Sequence, residues 1–269
     1  MKVTIRLFIS VTFIILLLGV AGGNSAAGFE IKQPSRLTVH VVVALCDNKY
    51  QGIVPVPARI GNGDDPDNNL YWGAAFGVRY FFSRSTDWKL LEVIKKPQPE
   101  ILERAIFKNR NRDVYLVADA YQGREIKKCT IDFLKYAAGN NPLQIEIKAS
   151  SEKLSAGGGA NLIAYVGHNG LMDFSLDNYP LQANDKQRDI VILACASRNY
   201  FKPPIASAGA NPILWTTGLM APEAYVLKAA IDGWLLKNSK DQIRMKAAEA
   251  YSKYQKCGLK GALRLFSNN

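Results

Sequence analysis

Histidine and cysteine are scarce in this 269-residue chain, which contains two histidines and four cysteines. Because His40 and His168 are the only histidines, a histidine-rich metal site is excluded, and any histidine-dependent chemistry must use one of them. The chain has no G-x-S-x-G sequence and no glycine-rich loop followed by Gly-Lys-Ser/Thr, so the usual motifs of serine hydrolases and phosphate-binding loops are missing. Sustained heptads and Gly-X-Y repeats are also missing, which excludes coiled coils and collagen.

The first 27 residues have the organisation of a secretory signal peptide. Lys2 and Arg6 precede an apolar run over residues 7–20, and small residues follow up to Ala27. The apolar run is shorter than the roughly 20 residues that a membrane-spanning helix needs, which favours cleavage over a permanent anchor. We therefore expect an exported protein, periplasmic or secreted, with no stable membrane insertion after signal cleavage.

The chain is basic. Its formal charge of +11 falls to +9 without residues 1–27, because these carry two cations and no anion. A basic surface can contact anionic lipid, cell-envelope polymers or nucleic acid. The basic stretches 109–112 and 124–128 are short and lack the interleaved aromatic residues of a nucleic-acid site. We therefore expect a solvated basic surface and no nucleic-acid partner, and the sequence leaves the oligomeric state open.

Aliphatic and β-branched segments alternate with helical patterns along the chain. Strands are predicted over residues 37–46, 113–120, 161–166, 189–194 and 212–216, and helices over 70–82, 124–138, 222–236 and 241–256. The first strand is continuously apolar, which is typical of a strand buried on both faces of a parallel sheet. The alternation predicts one α/β domain, residues 28–269, with a mainly parallel sheet and helices on both faces. Residues 83–112 are expected to form an excursion from the sheet.

Two reactive side chains follow the third and fourth predicted strands. The third strand leads into Gly167-His168-Asn169-Gly170, and the fourth into Ala194-Cys195-Ala196-Ser197. Ligands of open parallel sheets bind beyond the carboxyl ends of the strands, and neighbouring strands lie about 5 Å apart. If these strands are neighbours, His168 can take the proton of Cys195 and leave a nucleophilic thiolate. Gly170 allows close approach of a substrate, so its N–H is a candidate oxyanion donor.

These motifs resemble the caspase-like cysteine peptidases, which include caspases, legumains, clostripain-like enzymes and gingipains. A hydrophobic strand ending in His, a nearby Gly and a second hydrophobic strand ending in Ala-Cys carry the resemblance, and residues 211–234 are similar to the following strand and helix of bacterial members. The resemblance implies a three-layer sandwich with strand order 2-1-3-4-5. It also implies His168 as base, Cys195 as nucleophile, and Gly170 or Asn169 as oxyanion donor. The implied activity is that of an exported cysteine endopeptidase that cleaves peptides or proteins through an acyl-enzyme, without a cofactor.

Several other residues are candidates for secondary roles. Cys46, Asp47 and Ser197 lie at the predicted carboxyl edge and could line a substrate pocket, in which Asp47 would bind a basic substrate side chain. Asp47 could instead form a turn with Asn48. His40, in the middle of the first strand, is predicted to be a buried structural residue. Oxygen-bearing side chains between residues 62 and 69 could hold a structural calcium ion or form a solvated turn; they are Asn62, Asp64, Asp65, Asp67, Asn68 and Asn69.

Two further interpretations stay open. Four cysteines in an exported protein can form disulfides, which would make Cys195 a structural residue. With the implied strand order, Cys46 and Cys195 would lie about 10 Å apart, too far to bridge each other. A second function is that of a catalytically silent caspase-like binding module in the cell envelope. A third is a hydrolase or transferase that uses the same Cys–His pair on a non-peptide substrate.

Overall fold

The computed structural model describes residues 36–148 and 150–269. The predicted signal peptide, residues 1–27, lies outside the described residues. The strands in chain order are β1 (Leu37–Ala44), β2 (Trp88–Gln98), β3 (Ile101–Asn109), β4 (Val114–Tyr121), β5 (Pro142–Ile147), β6 (Glu152–Gly157), β7 (Leu162–Val166), β8 (Asp189–Leu193), β9 (Asn211–Thr216) and β10 (Phe266–Ser267). The helices are α1 (Val78–Ser83), α2 (Ile126–Ala137), α3 (Ser197–Ser207), α4 (Ala224–Leu235), α5 (Lys240–Gln255) and α6 (Leu259–Leu265), and short 3-10 turns cover Gly123–Glu125 and Gly170–Met172.

Eight strands form one sheet in the order β10-β9-β8-β7-β1-β4-β3-β2, while β5 and β6 pair in a separate hairpin. The strands from β9 through β4 in this order are mutually parallel, and β2, β3 and β10 are antiparallel to their neighbours. The predicted α/β class and mainly parallel sheet are confirmed. The observed order differs from the five-strand order 2-1-3-4-5, because three antiparallel strands extend the sheet at its two edges.

Both faces of the sheet are covered by helices. On β1, Val39, Val41 and Val43 pack in a core that includes side chains of α1, α4 and α5. Val42 and Ala44 of the same strand pack in a second core with α2 and α3. Successive side chains of a strand point to opposite faces, so a continuously apolar strand is buried on both sides. The three layers therefore follow from the sequence of β1, as predicted.

The prediction for residues 83–112 is wrong. This segment forms β2 and β3, an antiparallel pair that extends the sheet beside β4. Pro97 lies where the β2–β3 register shifts between Lys95 and Gln98, on the outermost strand of the sheet. A proline nitrogen cannot donate to a strand ladder, but an edge strand with a bulge does not require that bond. The segment is therefore a part of the sheet in spite of its prolines.

The predicted helix over residues 70–82 is also wrong in its first half, because α1 begins only at Val78. The side-chain carbonyl of Asn69 accepts the N–H groups of Cys46 and Tyr71, at 3.0 and 3.1 Å, and this holds the segment in turns. Gly77 packs directly on the preceding turn, since a Cβ there would lie 2.4 Å from the Trp72 carbonyl carbon. Hydrogen bonds between an Asn side chain and nearby backbone groups compete with helix formation, and here they keep residues 70–77 out of the helix.

All the described residues belong to one compact unit. Within that part of the chain, no helix combines the length and the apolar composition that crossing a membrane requires.

A charged network is buried within the sheet. His40 on β1 is fully buried, with its Nε2 3.1 Å from Asp119 Oδ2 on β4 and its Nδ1 accepting the Gly157 N–H at 2.8 Å. Arg104 on β3 donates to both oxygens of Asp119, at 2.6 and 2.7 Å. Burial opposes ionisation of Asp119, but the hydrogen bonds from Arg104 and His40 outweigh it and lower the pKa of this carboxyl. His40 is thus a structural residue, as the sequence predicts.

We expect Asp119→Asn to lower the free energy of unfolding by about 3–5 kcal/mol at pH 7, because Arg104 loses its buried counter-charge. Since the pKa of Asp119 is lower in the folded chain, its contribution is complete above the unfolded pKa of about 3.9 and is lost as the pH falls through the folded value. Urea denaturation across this range measures both effects. Asp113→Asn, which removes a half-exposed pair with Arg36, is the control with an expected loss below about 1 kcal/mol. Equal losses in the two variants would contradict this assignment.

Candidate active site

His168 and Cys195 follow neighbouring parallel strands at the same edge of the sheet. The last pair in the β7–β8 ladder is Val166 with Leu193, and each candidate residue lies two positions further along its own strand. Neighbouring strands are about 4.8 Å apart, so equivalent positions beyond them remain close. The two side chains line one cavity of about 380 Å³. The structure therefore brings together the two residues that the sequence singles out.

The imidazole of His168 is buried and held by a carboxylate. Its Nε2 lies 2.8 Å from Asp173 Oδ2, and the Gly52 N–H donates to the same oxygen at 3.0 Å. The hydroxyl of Tyr165 donates to the His168 carbonyl at 2.7 Å. An ionised carboxylate can only accept, so Nε2 carries the hydrogen and Nδ1 is the basic nitrogen. This arrangement leaves Nδ1 for proton transfer.

Asp173 is the residue that sequence reasoning missed. It directly follows the 3-10 turn Gly170–Met172, and its side chain is 28% exposed. A Cβ on Gly52 would lie 2.5 Å from Asp173 Oδ1, so the loop after β1 can approach the carboxylate closely because residue 52 is a glycine. An acidic residue five positions after a histidine is a weak signal, because acidic residues are common in loops.

The sulfur of Cys195 is held by the backbone of Met220. The Met220 N–H donates to Sγ at 3.4 Å, and the thiol can donate to the Met220 carbonyl at 3.6 Å. Both contacts come from the backbone of one residue, so they fix the position of the sulfur beside the loop after β9. Within the described part of the chain the Cys195 N–H makes no hydrogen bond. This N–H remains available to a developing oxyanion.

A tight turn presents Cys195 at the edge of the sheet. Ala196 has φ 46° and ψ 33°, in the left-handed region, and α3 begins at the next residue. The Ala196 N–H donates to the Gly218 carbonyl at 2.8 Å. A left-handed conformation costs about 1–2 kcal/mol for a residue that has a Cβ, and such strain concentrates at functional sites. The turn lets the chain leave β8 and enter α3 with Cys195 at the junction.

The two predicted oxyanion donors lie beside the pair but do not line the cavity. Asn169 is fully buried; its amide nitrogen donates to the Cys195 carbonyl at 2.8 Å, and its oxygen accepts the Leu171 N–H at 3.1 Å. Asn169 therefore ties the turn after β7 to the turn after β8. Gly170 packs on Phe174, where a Cβ would lie 2.7 Å from the ring. Their role in oxyanion binding stays a prediction.

Cys46 and Asp47 lie outside the cavity, which corrects their expected place in a substrate pocket. Cys46 is fully buried, and burial raises the pKa of its thiol to about 11. Asp47 accepts the N–H groups of Lys49 and Tyr50, at 2.8 and 3.2 Å, and so closes a turn. This turn is the alternative that the sequence offered for Asp47.

Ser197 likewise lies outside the cavity, because it is fully buried between β8 and β9. Its hydroxyl lies 3.1 Å from the Thr216 hydroxyl and donates to the Ile192 carbonyl at 3.1 Å. Ser197 accepts the Thr216 N–H at 2.9 Å as well. These bonds fix the start of α3 to the two strands, so the residue supports the position of Cys195 instead of contacting a substrate.

The acidic side chains of residues 62–69 have separate protein partners. Asp64 pairs with Arg124 at 2.9 Å, Asp67 pairs with Arg79 at 2.7 Å, and Asp65 accepts the Asp67 N–H at 3.1 Å. Within residues 36–148 and 150–269, no group of three His, Cys, Asp or Glu side chains converges as a metal site would require. The carboxylates fit the solvated turn better than the calcium site.

All four cysteines are free thiols. Cys46 and Cys129 are buried, Cys195 is half-buried at the cavity and Cys257 is exposed. The predicted alternative in which a disulfide occupies Cys195 is therefore not the arrangement found, and its sulfur is available for chemistry.

We expect Ala196→Gly to raise the free energy of unfolding by about 1 kcal/mol, because glycine adopts the left-handed conformation without a Cβ penalty. Ala206→Gly is the matched control, since this exposed residue lies within α3 and should lose about 1 kcal/mol on substitution. Thermal and urea denaturation of both variants measure the two signs. A loss of stability in Ala196→Gly would show that the turn is not strained.

Comparison of this chain with protein-family models, with curated proteins and with solved structures finds no match. The geometry at the carboxyl edge of the sheet is therefore the basis on which a function can be argued.

Proposed function

We propose that this protein is an exported cysteine endopeptidase in which Cys195 is the nucleophile and His168 is the general base. The carrying observation is that a half-buried thiol and an imidazole bound to a carboxylate line the same cavity at the carboxyl ends of neighbouring parallel strands. Thiolate–imidazole pairs with a third orienting group are a recurrent solution for acyl transfer. We also propose that the eight-stranded sheet is a variant of the caspase-like sandwich, which stays a proposal based on the sequence resemblance.

The reaction begins with transfer of the Cys195 proton to His168 Nδ1. The sulfur attacks the carbonyl carbon of the scissile amide, and the oxygen takes the negative charge of the tetrahedral intermediate. The Cys195 N–H is the donor best situated for this oxygen, since it makes no hydrogen bond within the described part of the chain. When the C–N bond breaks, His168 returns the proton to the leaving amine, and the acyl group remains on the sulfur as a thioester.

A water molecule completes the cycle. His168 takes a proton from the water, the resulting hydroxide attacks the thioester carbon, and the C–S bond breaks. The proton returns to the sulfur and the carboxylic acid product leaves, so one water is consumed for each amide bond cleaved. Asp173 does not exchange protons in this scheme. It accepts the Nε2–H, keeps Nδ1 basic and stabilises the imidazolium that forms in each half of the cycle.

The nucleophile is tested first by substitution. Purified protein should cleave a fluorescein-labelled unfolded protein, and Cys195→Ala or His168→Ala should reduce the initial rate at least about 1,000-fold. Cys257→Ala is the matched control, because this exposed thiol follows the C-terminal end of α5 and does not line the cavity, so its loss should leave the rate unchanged. Cleavage that persists in Cys195→Ala would reject the proposed nucleophile.

Alkylation provides a second readout on the same preparation. With limiting iodoacetamide at pH 7, Cys195 should react at least about 10-fold faster than Cys257, because His168 lines the same cavity and can accept the thiol proton while the Met220 N–H donates to the sulfur. Burial raises the pKa of Cys129 and brings that of Cys46 to about 11, so both thiols should stay unmodified. Peptide mass mapping gives the four rates. An unreactive Cys195 together with no cleavage would favour a catalytically silent binding module.

We expect Asp173→Asn to lower kcat about 10- to 1,000-fold with little change in KM, because the imidazole loses the group that orients it and stabilises its charged form. Asp177→Asn, in the same exposed segment, is the control and should retain full activity. Steady-state kinetics with the labelled protein substrate measure the effect, and thermal denaturation checks that both variants fold. An unchanged kcat in Asp173→Asn would remove Asp173 from the mechanism.

A further inference from the structure

The cavity beside Cys195 is lined by apolar side chains. Besides the catalytic pair, its walls include Ile53, Val54, Met172, Leu219, Met220 and Pro222, and no Lys, Arg, Asp or Glu belongs to its lining. Its volume of about 380 Å³ lies at the small end of the range of about 300–1,000 Å³ for ligand sites. A cavity of this size and composition suits one large uncharged side chain.

Two of the most exposed apolar residues lie on the rim of this cavity. The three most exposed large apolar side chains among the described residues are Leu219 at 75%, Leu181 at 74% and Val54 at 87%. Val54 belongs to the loop after β1 and Leu219 to the loop after β9, and both line the cavity, whereas Leu181 does not. Exposed apolar surface concentrated around a cleft marks a place where a partner is bound. The rim is therefore suited to covering an apolar group that enters between the two loops.

We propose that the cavity binds an apolar side chain, such as that of leucine, methionine or phenylalanine, on the acyl side of the scissile bond. This inference rests on the proposed peptidase function. In the acyl-enzyme the carbonyl carbon is bonded to Cys195 Sγ, and the side chain branches from the next carbon along. That side chain must therefore lie in the space that Cys195 lines. Burying an aliphatic side chain there is favourable, whereas burying a charge without a partner is costly.

The basic substrate side chain considered from the sequence has no support in this geometry. Asp47, its expected partner, lines a different cavity together with Lys49 and Arg124. Asp173 lies near the catalytic pair, but its carboxylate is bound to His168 and to the Gly52 N–H. Among the described residues, no Asp or Glu lines the cavity beside Cys195 to neutralise a lysine or arginine.

The preference is tested by covalent labelling, which does not depend on amide cleavage. Acetyl-leucine, acetyl-aspartate and acetyl-lysine chloromethyl ketones each lose chloride as the Cys195 thiolate forms a thioether with the methylene carbon. Intact-protein mass spectrometry gives the labelling rates, which are divided by the rate of each reagent with glutathione. We expect the leucine reagent to label Cys195 at least about 100-fold faster than either charged reagent. Equal corrected rates would overturn the inference while leaving the proposed nucleophile intact.

A charge placed on the rim should change the preference. We expect Leu219→Asp to slow labelling by the leucine reagent at least about 10-fold and to accelerate labelling by the lysine reagent. Leu181→Asp is the matched control, because Leu181 is as exposed as Leu219 and lies outside the cavity; its rates should equal those of the unmodified protein. Identical behaviour of the two variants would overturn the assignment of the cavity.

Two other outcomes also decide the matter. If a long-chain alkyl chloromethyl ketone without an amide labels Cys195 faster than the leucine reagent, the cavity accepts a lipid acyl chain and the peptide assignment is overturned. If Cys195 reacts with every reagent no faster than glutathione does, the nucleophile itself is rejected, and the proposed function falls together with the inference. Selective failure of the preference and general failure of the nucleophile are thus distinguishable.

Discussion

Parallel pairing of β7 with β8 is the interaction on which the site depends. Every residue of β7 is buried, as are all but the first of β8, so a shift by one residue would exchange side chains of different volume, such as Ala164 and Tyr165, between two close-packed cores. The register therefore holds, and it ends with Val166 opposite Leu193. His168 and Cys195 are brought together because both lie two residues beyond that pair. The packing of the sheet core therefore places both residues at the same level of one sheet edge.

Contacts between loops convert this proximity into a defined geometry. Asn169 joins the turn after β7 to the carbonyl of Cys195, and Asp173 joins the same segment to Gly52 in the loop after β1. Met220, after β9, holds the sulfur through its backbone. Each contact links chain segments that follow different strands of one sheet edge. A carboxylate thus orients the base while backbone groups orient the nucleophile, and neither arrangement requires a metal ligand.

The parts of the fold that the sequence predicts are those determined by local composition. Continuous aliphatic runs such as that of β1 identify the parallel strands, and the residues just beyond β7 and β8 then identify the reactive pair. Long-range effects were missed. The Asn69 side chain overrides the helical pattern after residue 70. The helix α3 is not predicted either, because Pro203 and Pro204 lie inside it, where proline is rare.

The same limit applies to the site. Asp173 and Asp177 are indistinguishable in the sequence, and Asp173 acquires its role through a contact with Gly52, 121 residues away. Proximity to a strand end in the sequence also assigns residues to the pocket that do not line the cavity. Asp47 and Ser197 lie three and four residues after the ends of β1 and β8 at the correct edge, but local hydrogen bonds direct both side chains away from the cavity. Whether a polar side chain faces a cavity or its own turn depends on loop geometry that composition does not encode.

The central claim is that the acyl group of the substrate is transferred to Cys195 before it is hydrolysed. The most direct test is to quench the protein with acid while it turns over an activated peptide ester and to measure its intact mass. The account predicts a fraction of the protein heavier by the mass of the acyl group. Peptide mapping should locate the added mass on Cys195 as a hydroxylamine-labile thioester. Turnover of the ester without any acylated protein, or acylation at another residue, would contradict the account.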